Sequence, residues 1–304
     1  MKILVCISVF TALSAHGQDD DRRNTRNKGA DVSEKVIAAY EAGSFHGMPY
    51  RLLLPEAYDE SIRYPLILSL HGRAGIGDDN RSQLRGWNAK FLDSAWRRKH
   101  PCIVIVPQSW DSWSFFNERV PDVTTDKTWE SDTWDAFFQA RGGYPSEQVS
   151  TGSLTLALLL VEEVSRRFSV DEDRVYVLGH SGGGFGSWNA IWHDPERFAA
   201  AIPTAGGLPP WKDPIRFKEV PVWAFHGDAD PVVPVEFTRE IFERMKEVGG
   251  DMKYTELSGV KHGANVPGFS YTGDDLEKGW KTEISSERCD ASEDIWEWLF
   301  RQRR

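Results

Sequence analysis

One stretch of this 304-residue chain holds residues suited to covalent chemistry. Arg174-Val-Tyr-Val-Leu-Gly179-His180-Ser181-Gly182-Gly183-Gly184 runs from apolar, partly β-branched residues into a serine flanked by glycines. A strand that passes straight into Gly-x-Ser-x-Gly and then into a helix predicts a sharp turn holding the serine hydroxyl above a sheet. The glycines have a steric reason, because the strained backbone at such a serine leaves no room for flanking Cβ atoms. The helix N-terminus favours a developing negative charge. The chemistry implied is attack on a carbonyl, with an acyl group passed to Ser181 and then to water. The alternative is a glycine-rich connection with an incidental serine, and the strand-to-helix context argues against it.

A serine hydroxyl is a weak nucleophile until a base takes its proton. With this turn, an acid and then a histidine should follow in chain order. The apolar run 220–225 ends in His226-Gly227-Asp228-Ala229-Asp230-Pro231. Asp230 is the expected acid and Asp228 its competitor. Pro231-Val-Val-Pro234 would fix the turn directly after Asp230, although both aspartates also suit a plain turn. His262 lies in a glycine-flanked loop after residues 252–257 and is the only histidine beyond Asp230. His180 belongs to the serine turn, His71 and His226 precede turn glycines, and His193 falls at a helix end. His46 and His100 sit outside the strand-end pattern.

The transition state also needs two amide donors. Gly182 supplies one, next after the nucleophile, and the loop after the third strand supplies the other. That loop reads His71-Gly72-Arg73-Ala74-Gly75, and Arg73 N–H is the choice. Its side chain suits either an acidic substrate group or solvent. Trp110 and Trp113 follow the strand ending near Pro107, where they would stack on an aromatic acid or sugar ring, or fill space beneath a long loop. Gly77-Asp78-Asp79-Asn80 does not have the spacing of a calcium loop, and helix capping accounts for it. No metal ligand set emerges.

These residues need strands to carry them. Residues 48–54, 64–70, 102–107, 174–178, 199–203, 220–225 and 252–257 read as strands, the last being the final one. Residues 80–100, 154–168, the stretch from the serine turn to about Trp192, 235–248 and 292–301 read as helices. Their alternation predicts an α/β domain over residues 41–304, a mostly parallel sheet with helices on both faces. Residues 109–150 and 262–290 break the rhythm, and long irregular loops are usually functional or mobile.

Net charge is −10 with no clustered basic face, which argues against a nucleic-acid partner. The 40% hydrophobic content argues against disorder. Lys2, the apolar run 3–15 and Ala15-His16-Gly17 predict a signal peptide over residues 1–17. The run is too short to span a membrane. A flexible leader, residues 18–40, should follow, with the protein exported to the periplasm or medium. Cys6 leaves with the signal. Cys102 and Cys289 remain, free to bridge in an oxidising compartment or, for Cys102, to serve as a small core residue.

The order of motifs resembles a bacterial esterase group of the α/β-hydrolase superfamily. The group is often labelled "predicted peptidase" and lies near polyhydroxybutyrate depolymerase-like and feruloyl esterases and dienelactone hydrolase. The likeness rests on Met48-Pro-Tyr-Arg-Leu-Leu-Leu-Pro55, Tyr64-Pro-Leu-Ile-Leu-Ser-Leu-His-Gly72, Gly77-Asp-Asp-Asn80, Gly179-His-Ser-Gly-Gly-Gly-Phe-Gly-Ser-Trp188, Phe198-Ala-Ala-Ala-Ile-Pro203 and Val222-Trp-Ala-Phe-His-Gly227. It covers roughly residues 45–262. It implies an α/β-hydrolase fold and an esterase triad of Ser181, Asp230 and His262. The substrate would be a small-molecule or polymer-linked ester, and no cofactor is needed. Two positions depart from the group: Gly182 stands where methionine is frequent, and Gly263-Ala264-Asn265-Val266 replaces a His-x-x-Trp continuation. The rivals are a serine peptidase of the prolyl oligopeptidase-like type and a non-catalytic binding protein on the same fold. The first often carries a gating propeller domain, for which this chain has no room.

Overall fold

The apolar runs assemble into a nine-stranded sheet in the computed structural model, which describes residues 32–113, 131–140 and 152–304. The expected signal peptide (residues 1–17), leader residues 18–31, Cys6 and residues 114–130 and 141–150 of the expected long loop lie outside the described residues. The chain enters through helix α1 (Glu34–Ala39), then β1 (Glu41–Phe45) and β2 (Met48–Leu53). β3 (Tyr64–Leu70) leads through short 3-10 turns to α2 (Ser94–Lys99) and β4 (Ile103–Pro107). α3 (Asp132–Gln139) and α4 (Ser153–Arg167) precede β5 (Val170–His180), which runs directly into α5 (Gly182–His193). β6 (Ala200–Thr204), β7 (Val222–Gly227), α6 (Glu236–Glu247) and β8 (Met252–Leu257) follow. The last elements are α7 (Asn265–Gly268), β9 (Trp280–Ile284) and α8 (Ile295–Arg301).

The strand order is β1-β2-β4-β3-β5-β6-β7-β8-β9. The run from β4 to β8 is parallel, and antiparallel strands close both edges. β3 and β4 are buried along their whole length, as parallel strands covered on two faces must be. Alternation divides their side chains between two cores. Leu66, Leu68 and Leu70 share one core with Val161, Trp188 and Ile241. Ile67 belongs to the other, with Tyr176, Trp223 and Trp298. The expected α/β-hydrolase architecture is the one observed, and Val32–Arg304 forms one compact unit.

Three local expectations are corrected. The flexible leader does not reach residue 40: Ser33 Oγ caps α1, and Val36, Ile37 and Tyr40 are buried. Residues 80–100 are not one helix. Gly86 takes a positive φ of 74°, and Asp93 starts a separate helix by accepting from Trp96 N–H. Residues 252–257 are not the last strand, because β9 pairs antiparallel with β8 at the sheet edge. This also gives structure to part of the stretch 262–290. Cys102 and Cys289 are both free thiols.

Candidate active site

The strands β3, β5, β6, β7 and β8 all end at one edge of the parallel sheet, where sites in open α/β sheets are built. Ser181 is the single residue between β5 and α5, with φ 56° and ψ −117°. Such a backbone is costly for an L-residue and must be held by its surroundings. Ser181 N–H donates to Thr204 O at 2.9 Å, and Ser181 O accepts from Phe185 N–H at 2.9 Å. The motif glycines let α5 cross close to β3. A Cβ at Gly183 would stand 1.9 Å from Leu70 O, and one at Gly179 would stand 2.4 Å from Gly183 O. Gly182 differs, because a Cβ there would meet nothing nearer than Arg73 N at 3.5 Å.

The three residues expected to act together are brought together. His262 Nε2 lies 2.9 Å from Ser181 Oγ, and His262 Nδ1 lies 2.8 Å from Asp230 Oδ2. Asp230 Oδ1 accepts from the amides of Val232 (2.8 Å) and Val233 (3.0 Å). The Asp230 side chain is 0% exposed and that of His262 26%. Burial alone would raise the Asp230 pKa; hydrogen bonds from His226, His262 and the two amides outweigh it and hold the carboxyl well below the usual range. Asp228 is engaged elsewhere, accepting from Gly259 N–H at 2.6 Å and Ser258 Oγ at 3.0 Å.

The loop after β3 meets the start of α5 at Arg73 and Gly182. Each begins its own helical turn, so neither amide has an acceptor within that turn. His71 fixes this loop from beneath. Its Nε2 accepts from Ser109 N–H at 3.0 Å, so Nδ1 carries the proton and donates to Gly72 O at 2.7 Å. Burial pushes the His71 pKa down to about 4. Trp113 Nε1–H donates to His71 O at 2.8 Å. The Arg73 side chain is exposed.

A cavity of about 500 Å³ opens beside Arg73 and Gly182. Trp113, Trp134, Phe137, Phe138, Phe185 and Trp211 give it aromatic walls, and Asn189 and Lys212 add polar groups. Lys212 Nζ donates to Asn189 Oδ1 at 2.8 Å. α3 brings Trp134 onto the Phe237 ring of α6 at 3.8 Å. Trp113 lines this cavity; Trp110, 36% exposed, is not among its lining residues. Sequence reasoning missed the α3 wall, although Trp134, Phe137 and Phe138 show i, i+3, i+4 spacing. It also missed His226 and His180 as neighbours of the central residues, and a lone histidine in a turn gives no such signal. Asp79, in the motif read as a cap, accepts from Arg81 N–H and Ser82 N–H, both at 2.9 Å.

Comparison with known proteins fits this geometry. A family model described as phospholipase/carboxylesterase matches residues 142–272, a span that holds Ser181, Asp230 and His262. "Putative esterase NocK" of Nocardia uniformis subsp. tsuyamanensis is 35% identical over 218 residues, covering 71% of this chain and 53% of that protein. The solved structure described as "Crystal Structure of a Thermostable Esterase" superposes with a TM-score of 0.65 at 29% identity, over 89% of this chain and 64% of that one. The chain has the α/β-hydrolase fold. It also shares this fold, at 14% identity and a TM-score of 0.52, with a ferulic acid esterase of Anaeromyces mucronatus, over 76% of this chain and 86% of that one. It spans about half the length of the NocK protein.

Proposed function

We propose that this α/β-hydrolase cleaves carboxylic esters through an acyl-enzyme on Ser181. The observation that carries the reading is the unbroken chain Ser181 Oγ, His262 Nε2, His262 Nδ1, Asp230 Oδ2, with contacts of 2.9 and 2.8 Å. Ser181 Oγ attacks the ester carbonyl as His262 Nε2 takes its proton. Asp230 holds the imidazole in the tautomer that leaves Nε2 free, and stabilises the imidazolium. The N–H groups of Arg73 and Gly182 donate to the oxyanion, a term whose loss costs about 2.7–4 kcal/mol per donor. His262 returns the proton to the leaving alcohol. Water then repeats the sequence, with His262 as base, and frees the acid.

The aromatic cavity beside the two amides suits an ester with a ring in its acyl or alcohol part, and Trp113 contributes to that wall. Residues 1–17 act as a signal peptide in this reading, so the enzyme works outside the cytoplasm. The test is p-nitrophenyl acetate hydrolysis by purified protein and by Ser181→Ala. Loss of turnover in the variant is expected, and retained turnover refutes the assignment. An aminoacyl amide cleaved faster than a short acyl ester would move the reading to a peptidase.

A further inference from the structure

We infer that His226 is a positioning residue for catalysis, a second imidazole that holds Asp230 against His262. The inference rests on the Ser181–His262–Asp230 reading above and adds a fourth member to it. His226 is fully buried at the end of β7, four residues before Asp230. Its Nε2 lies 3.0 Å from Val233 O and 3.4 Å from Asp230 Oδ2. Both neighbours are acceptors, so Nε2 must carry a hydrogen, shared between them with the carbonyl the closer. Its Nδ1 faces Thr238 Oγ1 at 2.7 Å. The Thr238 hydroxyl donates there in preference to Gly206 O, which is 3.4 Å away, and the Nε2–H of the ring is aimed at the carboxylate.

The geometry makes His226 a clamp on the acid loop. Asp230 Oδ1 is held by the amides of Val232 and Val233. His226 grips the same loop at Val233 O and reaches the other carboxylate oxygen, the one His262 uses. Water has no access to a fully buried ring, so no solvent donor replaces it. The charged and titratable groups facing His226 are Asp230 on its own loop, Glu256 opposite it on β8, and His180 across the site. Removing the donor leaves more of the Asp230 charge for His262 alone. His262 then holds its proton more tightly, and the carboxylate is less well aimed.

Two variants separate this role from simple packing. His226→Asn keeps a polar group near Thr238 but is too short to reach Asp230. His226→Gln places an N–H where Nε2 stands. With p-nitrophenyl acetate, the Asn variant should lose about tenfold or more in kcat, with KM little changed. The acid limb of its kcat/KM profile should move to higher pH. The Gln variant should restore both. Thr238→Val, which leaves the ring but removes its hydroxyl partner, should shift kcat in the same direction as Asn. The inference is overturned if a folded Asn variant keeps the parent kcat and acid limb, or if Gln is as impaired as Asn. It is equally overturned if neither 226 variant folds and a folded Thr238→Val matches the parent. Ser181→Ala is run alongside. If it retains turnover, the site reading itself fails; if it is inactive while the Asn variant is unaffected, only the role of His226 fails.

Discussion

The imidazoles of His180 and His262 lie with ring centres 4.8 Å apart and planes tilted by 47°. His180 Nδ1 sits 3.1 Å from Thr204 Oγ1, whose hydroxyl donates to Gly179 O at 3.1 Å. Nδ1 is therefore the protonated nitrogen. Burial first, and the neighbouring His262 second, push the His180 pKa down to about 3. A neutral ring beside His262 adds no charge competing with the proton transfer proposed from Ser181.

A consequence appears in stability. His180 and His71 are both held neutral in the folded chain, with pKa values near 3 and 4. In the unfolded chain each protonates near pH 6.5. Acid therefore favours unfolding, and stability should be lost as pH falls from about 6.5, down to about 4 for His71 and to about 3 for His180. The Asp230 carboxyl, held low, adds to the loss only below about pH 4, its unfolded value. Thermal unfolding across that range should show Tm falling, and His180→Gln should flatten the fall. A Tm independent of pH in this window would contradict the neutral state of these rings.

Gly183 and Gly182 are expected to respond differently to alanine. At Gly183 the new Cβ meets Leu70 O at 1.9 Å, a backbone atom that cannot swing aside. Overpacking of this kind costs about 1–3 kcal/mol, and displacement of Ser181 should lower kcat/KM by about 100-fold. At Gly182 the nearest atom is at ordinary contact distance, so Gly182→Ala should lower Tm little. Tm and kcat/KM of the two variants check the contrast.

The two aspartates of the Asp228-Ala-Asp230 turn should also separate. Asp230→Asn presents an amide to His262 Nδ1 and favours the wrong tautomer, and kcat should fall by about 10⁴. Asp228→Asn can still accept from Gly259 N–H through its amide oxygen and donate to Ser258 Oγ at the surface, and kcat should stay within about threefold. Steady-state hydrolysis of p-nitrophenyl acetate distinguishes them.

Trp211 lines the aromatic cavity. Trp211→Ala should lower kcat/KM for an ester with an aromatic acyl group by about tenfold or more. For the small acetyl ester the change should be less than about threefold. Equal losses on both substrates would remove the cavity from substrate recognition.

The central residues were legible because each sits at a strand end beside glycine or proline, and because their chain order is constrained by the fold. Continuous burial made β3 and β4 readable as apolar runs. β9 escaped notice because it is a short edge strand with mostly exposed side chains, so hydrophobic patterning hardly marks it. The region 80–100 misled because its apolar spacing suits a helix, while Gly86 and the Asp93 cap break the backbone. The roles of His71, His180 and His226 come from three-dimensional neighbours: Ser109, Thr204 and Thr238 are far away in sequence or carry no motif. Trp110 and Trp113 read alike in sequence, yet only Trp113 is tucked under the loop after β3, by its bond to His71 O.

The most direct measurement is peptide mapping after treatment with a fluorophosphonate. The account expects one phosphonyl group on the peptide carrying Ser181, with loss of ester hydrolysis in proportion to labelling, and no labelling in His262→Ala. Wild-type protein that hydrolyses esters while Ser181 stays unmodified, or that carries the adduct on another residue, would contradict it.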